Sequence, residues 1–288
     1  MIGIFDSGSG GLSVLREILR ILPKEKYVYY SDNANCPYGE KSVEFIRNRA
    51  REITRLLISK GAQIIVVACN TATAAAISVL REEFPVKFIG MEPAVKPAAL
   101  SSKTGVIGVL ATAGTLKASR YLNIKEMFGD GTKIAEHVGE GFVELVENGI
   151  LDGPEAEETV RKSVLPLVAA GADRIVLGCT HYPFLRKVIE RVAGPGVQVI
   201  DPAPAVARHL AEVMKQEGLL NHEYADVPAA AEPETEGQAA GGQVAGEPEA
   251  AHPAAEIELI ASGPELPARR LLDTIISGHA GRQTATKA

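Results

Sequence analysis

Short apolar runs alternate along the chain with longer segments whose apolar residues recur at helical spacing. The first run, Ile2–Phe5, is followed by a helical pattern over 12–22 that Pro23 should end. A second run covers Tyr27–Tyr30, and turn residues fill 33–39 before the next helical pattern. Strands that alternate with helices in this way are typical of parallel sheets with connecting helices.

The alternation then restarts, which predicts an internal duplication. Gly105–Thr112 resembles the opening segment Ile2–Ser7, and in both a polar residue stands just past the strand end. The sequence therefore predicts an α/β fold of two similar lobes with mainly parallel sheets and a pseudo-twofold relation. The other predicted elements are helices over 42–60, 72–83 and 205–216 and a strand over 86–90.

One of the predicted lobes is discontinuous in sequence. We expect residues 97–200 to form the second lobe. Residues 1–96 and 201–280 should form the first, because the strand-like Ile257–Ile260 still needs a sheet. In open α/β sheets ligands bind beyond the carboxyl ends of the strands. The active site is therefore expected in the cleft between the lobes.

Two cysteines end matched segments of the two lobes. Cys69 closes the segment 61–69 and Cys179 closes 171–179; each segment begins with Gly-Ala and runs through β-branched apolar residues to one small residue before the thiol. A buried structural thiol is the ordinary interpretation of a single cysteine. The repeated setting instead favours two proton-transfer groups on opposite sides of one substrate. Cys36, which has no such counterpart, keeps the ordinary interpretation.

Composition is that of a globular protein with reduced thiols. Of 288 residues, 46% are hydrophobic and 23% charged. No apolar run approaches the roughly 20 residues that cross a bilayer, and no signal-peptide pattern opens the sequence. Three cysteines do not make a disulfide framework. Without a Cys-x-x-Cys pair or clustered histidines, no metal site is expected. We expect a cytoplasmic protein that binds no membrane.

The net charge of −6 comes from one segment. Residues 216–268 contain no Lys or Arg but 11 Asp or Glu, which leaves about +5 on the rest of the chain. A mildly positive body is compatible with a small anionic substrate, and no basic stripe with interleaved aromatic residues indicates nucleic acid. Over 226–255, 23 of 30 residues are Ala, Glu, Gly or Pro. This composition predicts a disordered insertion.

The thiols suit the removal of a weakly acidic proton next to a carboxylate. A thiolate can serve as the base if a helix amino terminus or a cation lowers its pKa from about 8.5, and a predicted helix follows each cysteine. Asp6, at a strand end, and His181, two residues after Cys179, are the candidate proton partners. Without the repeat, His181 would be interpreted as a helix-end histidine bonded to backbone.

The glycine cluster Gly8–Gly11 is a candidate anion site, because backbone amides at a helix start bind negative groups. It lacks the G-x-G-x-x-G spacing and the chain has no Walker motif, so a carboxylate-sized ligand is favoured over a nucleotide. Tight turns alone also need glycine. Further candidate donors are Asn70, Thr71, Thr180 and the hydroxyl and amide of Tyr38–Gly39.

Four linked motifs together resemble the glutamate racemases of the Asp/Glu racemase superfamily. They are Asp6–Gly11, Cys36–Gly39, Ala68–Thr73 and Gly178–Pro183, in matching order and spacing. The resemblance implies cofactor-independent interconversion of L- and D-glutamate, which supplies D-glutamate for peptidoglycan. It also implies a homodimer. The catalytic residues it implies are Cys69 and Cys179 as acid and base, with Asp6, His181 and Glu147. The substrate contacts it implies are Asp6, Ser7, Tyr38, Gly39, Asn70, Thr71, Thr180 and His181.

The chain departs from that family pattern in three places. Gly139–Gly141 stands where family members carry Cys-Pro, Asp201–Pro204 stands in place of Asp-Ser, and the acidic insertion is not typical. These changes concern lobe packing and dimer contacts more than chemistry. Two alternatives stay open: a racemase of the same superfamily that acts on aspartate or a hydantoin, and a non-catalytic amino-acid-binding protein with buried thiols.

Overall fold

The computed structural model describes residues 1–128, 131–221 and 255–285. The predicted insertion over 226–255 lies outside these ranges apart from Ala255. Within them, none of the helices combines the length and the apolar character needed to span a bilayer.

The first sheet has five parallel strands. Its strands are β1 (Ile2–Asp6), β2 (Lys26–Ser31), β3 (Ile64–Val67), β4 (Lys87–Gly90) and β9 (Glu256–Ala261), in the order β4-β3-β1-β2-β9. Every residue of the central strand β1 is buried, as expected where helices cover both faces of a parallel sheet. The last strand therefore returns to the first sheet, where Tyr27 pairs with Ile257.

The second sheet has four parallel strands and repeats the arrangement of the first. Its strands are β5 (Val106–Ala111), β6 (Lys133–Val138), β7 (Arg174–Gly178) and β8 (Gln198–Ile200), in the order β6-β5-β7-β8. In each sheet the strand that leads to the matched cysteine lies beside the lobe's opening strand, β3 beside β1 and β7 beside β5. The predicted two-lobed α/β fold is confirmed.

Helices connect the strands and cover the sheets. They are α1 (Leu12–Ile21), α2 (Val43–Ser59), α3 (Asn70–Glu83), α4 (Val95–Ser101), α5 (Ala113–Lys117), α6 (Ser119–Phe128), α7 (Phe142–Glu147), α8 (Pro154–Ala169), α9 (Arg186–Ala193), α10 (Ala203–Gln216) and α11 (Leu266–Ala285). Short 3-10 helices cover Asn33–Asn35, Tyr38–Glu40 and Tyr182–Leu185.

One hydrophobic core joins the two sheets. It contains Ile4 of β1, Leu177 of β7, Phe142 of α7 and Leu210 of α10, all fully buried. The helix α1 packs against α10. This shared core brings the carboxyl ends of the two sheets together.

The segment after Cys179 differs from the prediction of a helix there. In the first lobe the amide of Thr73 donates to the Cys69 carbonyl at 2.8 Å, which is the first bond of α3. The equivalent donor in the second lobe is residue 183, a proline, which has no N–H. Tyr182 donates to the Cys179 carbonyl instead, at 3.1 Å. A 3-10 turn therefore forms first, and α9 begins only at Arg186.

Candidate active site

A pocket lies at the carboxyl ends of both sheets. It encloses about 270 Å³, counting the part that opens to solvent. Asp6 and Glu147 touch its lining through hydrogen bonds to Thr180 and His181. The other predicted site residues line it directly: Ser7, Tyr38, Gly39, Cys69, Asn70, Thr71, Cys179, Thr180 and His181, together with Pro37, Thr112 and Val143.

Cys69 lies at the start of α3 and caps it. The amide of Ala72 donates to its sulfur at 3.4 Å, and the sulfur lies 3.7 Å from the Ser7 hydroxyl oxygen. Burial raises the pKa of the Cys69 thiol well above its ordinary value, and the charge of Asp6 raises it further. The amide of Ala72 acts in the opposite direction but is outweighed. The helix start therefore acts on this pKa in the expected direction, but the net pKa of Cys69 is raised and not lowered as expected.

Asp6 is fully buried at the end of β1. Its Oδ2 accepts from the amides of Gly11 at 2.8 Å and Gly8 at 3.3 Å. Burial raises the pKa of Asp6, although the charge of His181 and hydrogen bonds from Gly11 and Cys69 act to lower it. A carboxyl of raised pKa beside a thiol is suited to exchange a proton with it.

His181 joins the second thiol to a carboxylate. Its Nδ1 lies 3.7 Å from the sulfur of Cys179, and its Nε2 lies 2.7 Å from Oε1 of Glu147. Burial acts to lower the pKa of His181. Hydrogen bonds to Cys179, Cys36 and Glu147 outweigh it, so the pKa lies well above its ordinary value. These contacts favour the protonated form of the imidazole.

The carboxylates of Glu147 and Asp6 accept hydrogen bonds from the backbone amides of the glycine cluster. The amide and hydroxyl of Ser9 donate to the two carboxylate oxygens of Glu147 at 2.7 and 2.9 Å. Gly8 and Gly11 donate to Asp6. Burial opposes ionisation of Glu147, but the contacts with His181 and Ser9 hold its pKa below the usual range. The cluster does bind anions, but these are the chain's own carboxylates and not the carboxylate of a ligand, as the sequence had suggested.

Tyr38 also differs from expectation, because its hydroxyl does not face the pocket as a donor. It donates to Oδ2 of Asp32 at 2.5 Å, and Arg49 donates to both oxygens of the same carboxylate at 3.0 and 2.7 Å. The buried Tyr38 side chain lines the pocket next to Gly39. Tyr38 thus offers its ring to the site while its hydroxyl anchors the loop.

Hydroxyl contacts hold the two lobes together at the pocket. Thr71 of the first lobe lies 3.1 Å from the hydroxyl oxygen of Thr112 and 3.3 Å from that of Thr115 in the second. Thr180 donates to Oδ1 of Asp6 at 3.4 Å. The buried amide of Asn70 has no hydrogen-bond partner among the described residues. Its donor and acceptor atoms therefore remain available to a ligand.

Cys36 is the residue that the sequence interpretation missed. Its thiol, one carboxylate oxygen of Glu147 and one ring nitrogen of His181 all lie within 4.8 Å of one another. Burial raises the pKa of the Cys36 thiol, while the hydrogen bond with His181 acts to lower it. The available signal was its place in the motif Cys36–Gly39, directly before the pocket residues. These three donors, which the sequence did not group together, are close enough to one another to hold a cation.

Two parallel sheets that each present one buried thiol to a shared pocket define a two-lobed α/β enzyme of the racemase class. Residues 2–210 match the family described as Asp/Glu/Hydantoin racemase. The chain belongs to this family. A protein named glutamate racemase from Methylococcus capsulatus is 50% identical over 224 residues, which cover 78% of this chain and 83% of that protein.

Solved structures agree with this assignment. The glutamate racemase isoform RacE1 of Bacillus anthracis superposes with a TM-score of 0.77 at 30% identity, covering 96% of this chain and 94% of that one. Escherichia coli glutamate racemase, solved with L-glutamate and the activator UDP-MurNAc-ala, gives a TM-score of 0.73 at 31% identity, covering 96% and 93%. The family resemblance of the four sequence motifs is confirmed.

Proposed function

We propose that this protein is a glutamate racemase that interconverts L- and D-glutamate without a cofactor. The observation that carries the proposal is that Cys69 and Cys179, one from each sheet, line one pocket. The names of relatives at up to 50% identity support glutamate as the substrate. D-Glutamate formed in this way would supply peptidoglycan synthesis.

The proposed reaction uses two bases on opposite faces of the α-carbon. The thiolate of one cysteine takes the α-proton, so the Cα–H bond breaks and an S–H bond forms. The thiol of the other cysteine then gives its proton to the opposite face of the carbanion. The two cysteines exchange roles when the reaction runs in the other direction. Each thiol must come within hydrogen-bond reach of the proton that it moves.

The neighbours of the two thiols suggest how each becomes a base. The Cys69 thiol proton has an acceptor in Asp6, whose raised pKa makes it a suitable base. The sulfur of Cys179 has a donor in the cationic His181, which Glu147 orients. The unpaired amide of Asn70 and the lining residues Ser7, Gly39, Thr71 and Thr180 are the proposed substrate contacts, with the ring of Tyr38 packed beside them.

Hydrogen exchange at the α-carbon tests this proposal most directly. The purified protein is incubated in D₂O with L-glutamate, without pyridoxal phosphate, and the α-proton signal is followed by NMR while circular dichroism follows loss of optical activity. We expect both signals to decay together. A protein that binds glutamate without exchanging the α-proton would be the non-catalytic binding protein of the second alternative.

The same assay on L-aspartate and on a hydantoin separates the remaining alternative. The family includes racemases for these substrates by its description, so family membership alone does not choose among them. We expect glutamate to have the highest kcat/KM of the three. A higher value for aspartate or the hydantoin would contradict the proposed substrate while leaving the two-thiol chemistry intact.

Location and assembly complete the proposal. We place the enzyme in the cytoplasm, because thiol catalysis needs reduced cysteines and reducing compartments keep them so. We also propose a homodimer. Leu100 of α4 and Met127 of α6 lie on helices that pack together, and their side chains are 76% and 73% exposed. Light scattering coupled to size exclusion measures the assembly directly, and a monomer mass would contradict the dimer.

The lobe boundaries also remain a proposal. We assign residues 97–200 to the second lobe and 1–96 with 201–280 to the first. The pairing of β9 with β2 supports the discontinuous first lobe, as does the packing of α10 against α1.

A further inference from the structure

We propose that Cys36, Glu147 and His181 form a Zn²⁺ site, and that zinc bound there inhibits the enzyme. The three residues come from separate segments of the chain, and one donor atom of each lies within 4.8 Å of the other two. The metal site itself rests on this geometry alone. Its inhibitory effect rests also on the role proposed above for His181.

The spacing of the donors suits a small tetrahedral ion. Zinc binds sulfur at about 2.3 Å and nitrogen or oxygen at about 2.0–2.2 Å, which puts ligand atoms roughly 3.6 Å apart around the ion. The 2.7 Å between Nε2 of His181 and Oε1 of Glu147 must therefore widen by about 1 Å. The side chain of Glu147 would have to move for this, away from its hydrogen bonds with Ser9.

The kind of ion follows from the donor set. A thiolate, an imidazole and a carboxylate together favour zinc over magnesium or calcium, which prefer oxygen ligands alone. Three protein ligands leave the fourth tetrahedral position open to water or a substrate carboxylate. Solvent reaches the site, since the side chain of Glu147 is 19% exposed.

Glycines make room for the ligands at close range. A Cβ added at Gly8 would lie 3.0 Å from the sulfur of Cys36 and would overlap Oε1 of Glu147. The backbone at Gly8 thus passes directly beside two of the proposed ligands.

Zinc at this site would remove two groups that the proposed mechanism uses. Zinc on Nε2 of His181 displaces the proton of that nitrogen and separates Glu147 from the ring, so the ion and not Glu147 would then set the orientation and charge of the imidazole that faces Cys179. Zinc binding also releases the proton of the Cys36 thiol. The catalytic thiols Cys69 and Cys179 need not touch the ion for activity to stop.

Cobalt spectroscopy tests the site without reference to activity. Co²⁺ is added to the full-length protein in a non-thiol reductant, and the thiolate-to-cobalt absorption band is titrated. We expect a band that saturates at one equivalent of cobalt and that is absent in Cys36→Ala. Cys69→Ser, which also removes one thiol, is the matched control and should keep the band. Cys36→Ser should also lose the band, and thermal melting checks that each variant is folded.

Zinc inhibition of racemisation tests the consequence. Loss of even an outer partner of a metal site costs about 10–100-fold in affinity, so Cys36→Ala should raise the zinc concentration for half-inhibition by about 10-fold or more. Inhibition of each protein is expressed relative to its own activity without zinc, because Cys36 also contacts the ring of His181. Equal inhibition of both proteins would overturn the inhibitory role.

Two other results would overturn the site. One is the absence of a thiolate band in the unaltered protein. The other is a band that Cys69→Ser removes and Cys36→Ala retains, which would place the ion between the catalytic thiols. A protein that binds cobalt as expected but racemises no amino acid would support the site and contradict the proposed function instead.

Discussion

At the scale of single residues, the two thiols differ in the charge that lies beside them. Cys69 has the carboxyl of Asp6, and burial together with that charge raises its pKa. Cys179 has the cationic His181 at 3.7 Å. The duplicated strands therefore carry the same nucleophile in electrostatically opposite settings.

Replacement of either thiol should stop turnover. Cys69→Ser and Cys179→Ser are each expected to lower kcat by roughly 10²–10⁴-fold, the range for loss of a general acid or base. Serine is a far weaker base than cysteine, and neither remaining thiol reaches both faces of the α-carbon. Steady-state racemisation followed by circular dichroism measures this, with Gly196→Ala, where an added Cβ meets nothing within 4 Å, as the control. Near-normal activity in either variant would contradict the two-base assignment.

Because the two thiols have different neighbours, substitutions of those neighbours should affect the two directions of the reaction differently. We expect Asp6→Asn to impair mainly the half-reaction that Cys69 begins, and His181→Asn the one that Cys179 begins. We would measure primary isotope effects on α-deuterated L- and D-glutamate separately. In one variant the effect should increase mainly for one enantiomer, and in the other variant mainly for the opposite enantiomer. Equal effects in both directions would mean that these residues act through substrate binding or cleft closure.

The ion pair between Glu147 and His181 should contribute to the free energy of unfolding by an amount that depends on pH. Ionised Glu147 stabilises the fold above its ordinary pKa of 4.5, and this is lost as the pH falls through its lowered pKa. Protonated His181 stabilises the fold below its ordinary pKa of 6.5, and this is lost as the pH rises through its raised pKa. Both contributions are complete only between these two ordinary values.

Glu147→Gln should therefore cost most in that interval. We expect the free energy of unfolding to fall by about 1–3 kcal/mol there, because a buried charge loses its partner, and the deficit to shrink in stronger acid. Urea unfolding at several pH values measures it. Glu144→Gln, an exposed change on the same helix, should stay within about 0.5 kcal/mol. A deficit that did not vary with pH would contradict the ionic pairing.

At the scale of elements, the loop between β1 and α1 organises both halves of the site. Its amides bind Asp6 and Glu147, and its glycines leave space for the ring of His181. A Cβ added at Gly10 would overlap the ring atoms Nδ1, Cε1 and Cγ of that histidine. The loop therefore requires glycine at this position because of the side chain opposite it.

Gly10→Ala should displace His181 and lower activity about as severely as loss of a catalytic group, roughly 100-fold or more. Gly196→Ala is the matched control, because an added Cβ there meets nothing within 4 Å. Racemase activity of both variants, with the His181 ring resonances in NMR as a second readout, measures the effect. Unchanged activity and resonances in Gly10→Ala would show that the loop shifts without cost.

Sequence pattern was sufficient for most of the strands, their parallel direction and the side chains at their ends, but it did not predict β6 or β8. It did not reveal which acceptor each hydrogen-bond donor binds. The Ser9 amide binds Glu147, a residue 138 positions away, and Tyr38 binds Asp32 rather than the pocket. Such choices depend on how distant segments pack. Pro183 shows the opposite case, since its missing N–H made the 3-10 turn after Cys179 predictable from the chain alone.

At the scale of the whole molecule, the acidic segment leaves and re-enters the fold at neighbouring points. Asn221, the last described residue before the segment 226–255, donates to Glu25, while Lys26 pairs with Glu256 at the start of β9. The two anchors are consecutive residues of the first lobe. A short connection can therefore replace the segment.

Deletion of Val227 to Ala254 should leave activity and Tm nearly unchanged. The retained residues span the gap, and loop-closure entropy depends only weakly on loop length, at about 0.6 kcal/mol for each doubling. Racemase assays and thermal melting check this, with a Gly/Ser segment of equal length as the control. If the deletion lost much of its activity and the Gly/Ser variant did not, the length of the segment would be needed for activity.

The position of β9 also determines when a newly made chain completes its first sheet. β9 pairs with the outer edge of β2, yet the whole second sheet is synthesised between these two strands. At about 5–20 residues per second, a ribosome needs roughly 10–45 seconds to pass from the end of β2 to the start of β9. The second sheet is contiguous in sequence and can form meanwhile. Through that interval β2 presents an open strand edge, which readily pairs with other chains. Chaperones that shield the nascent chain would therefore act at this edge until β9 is made.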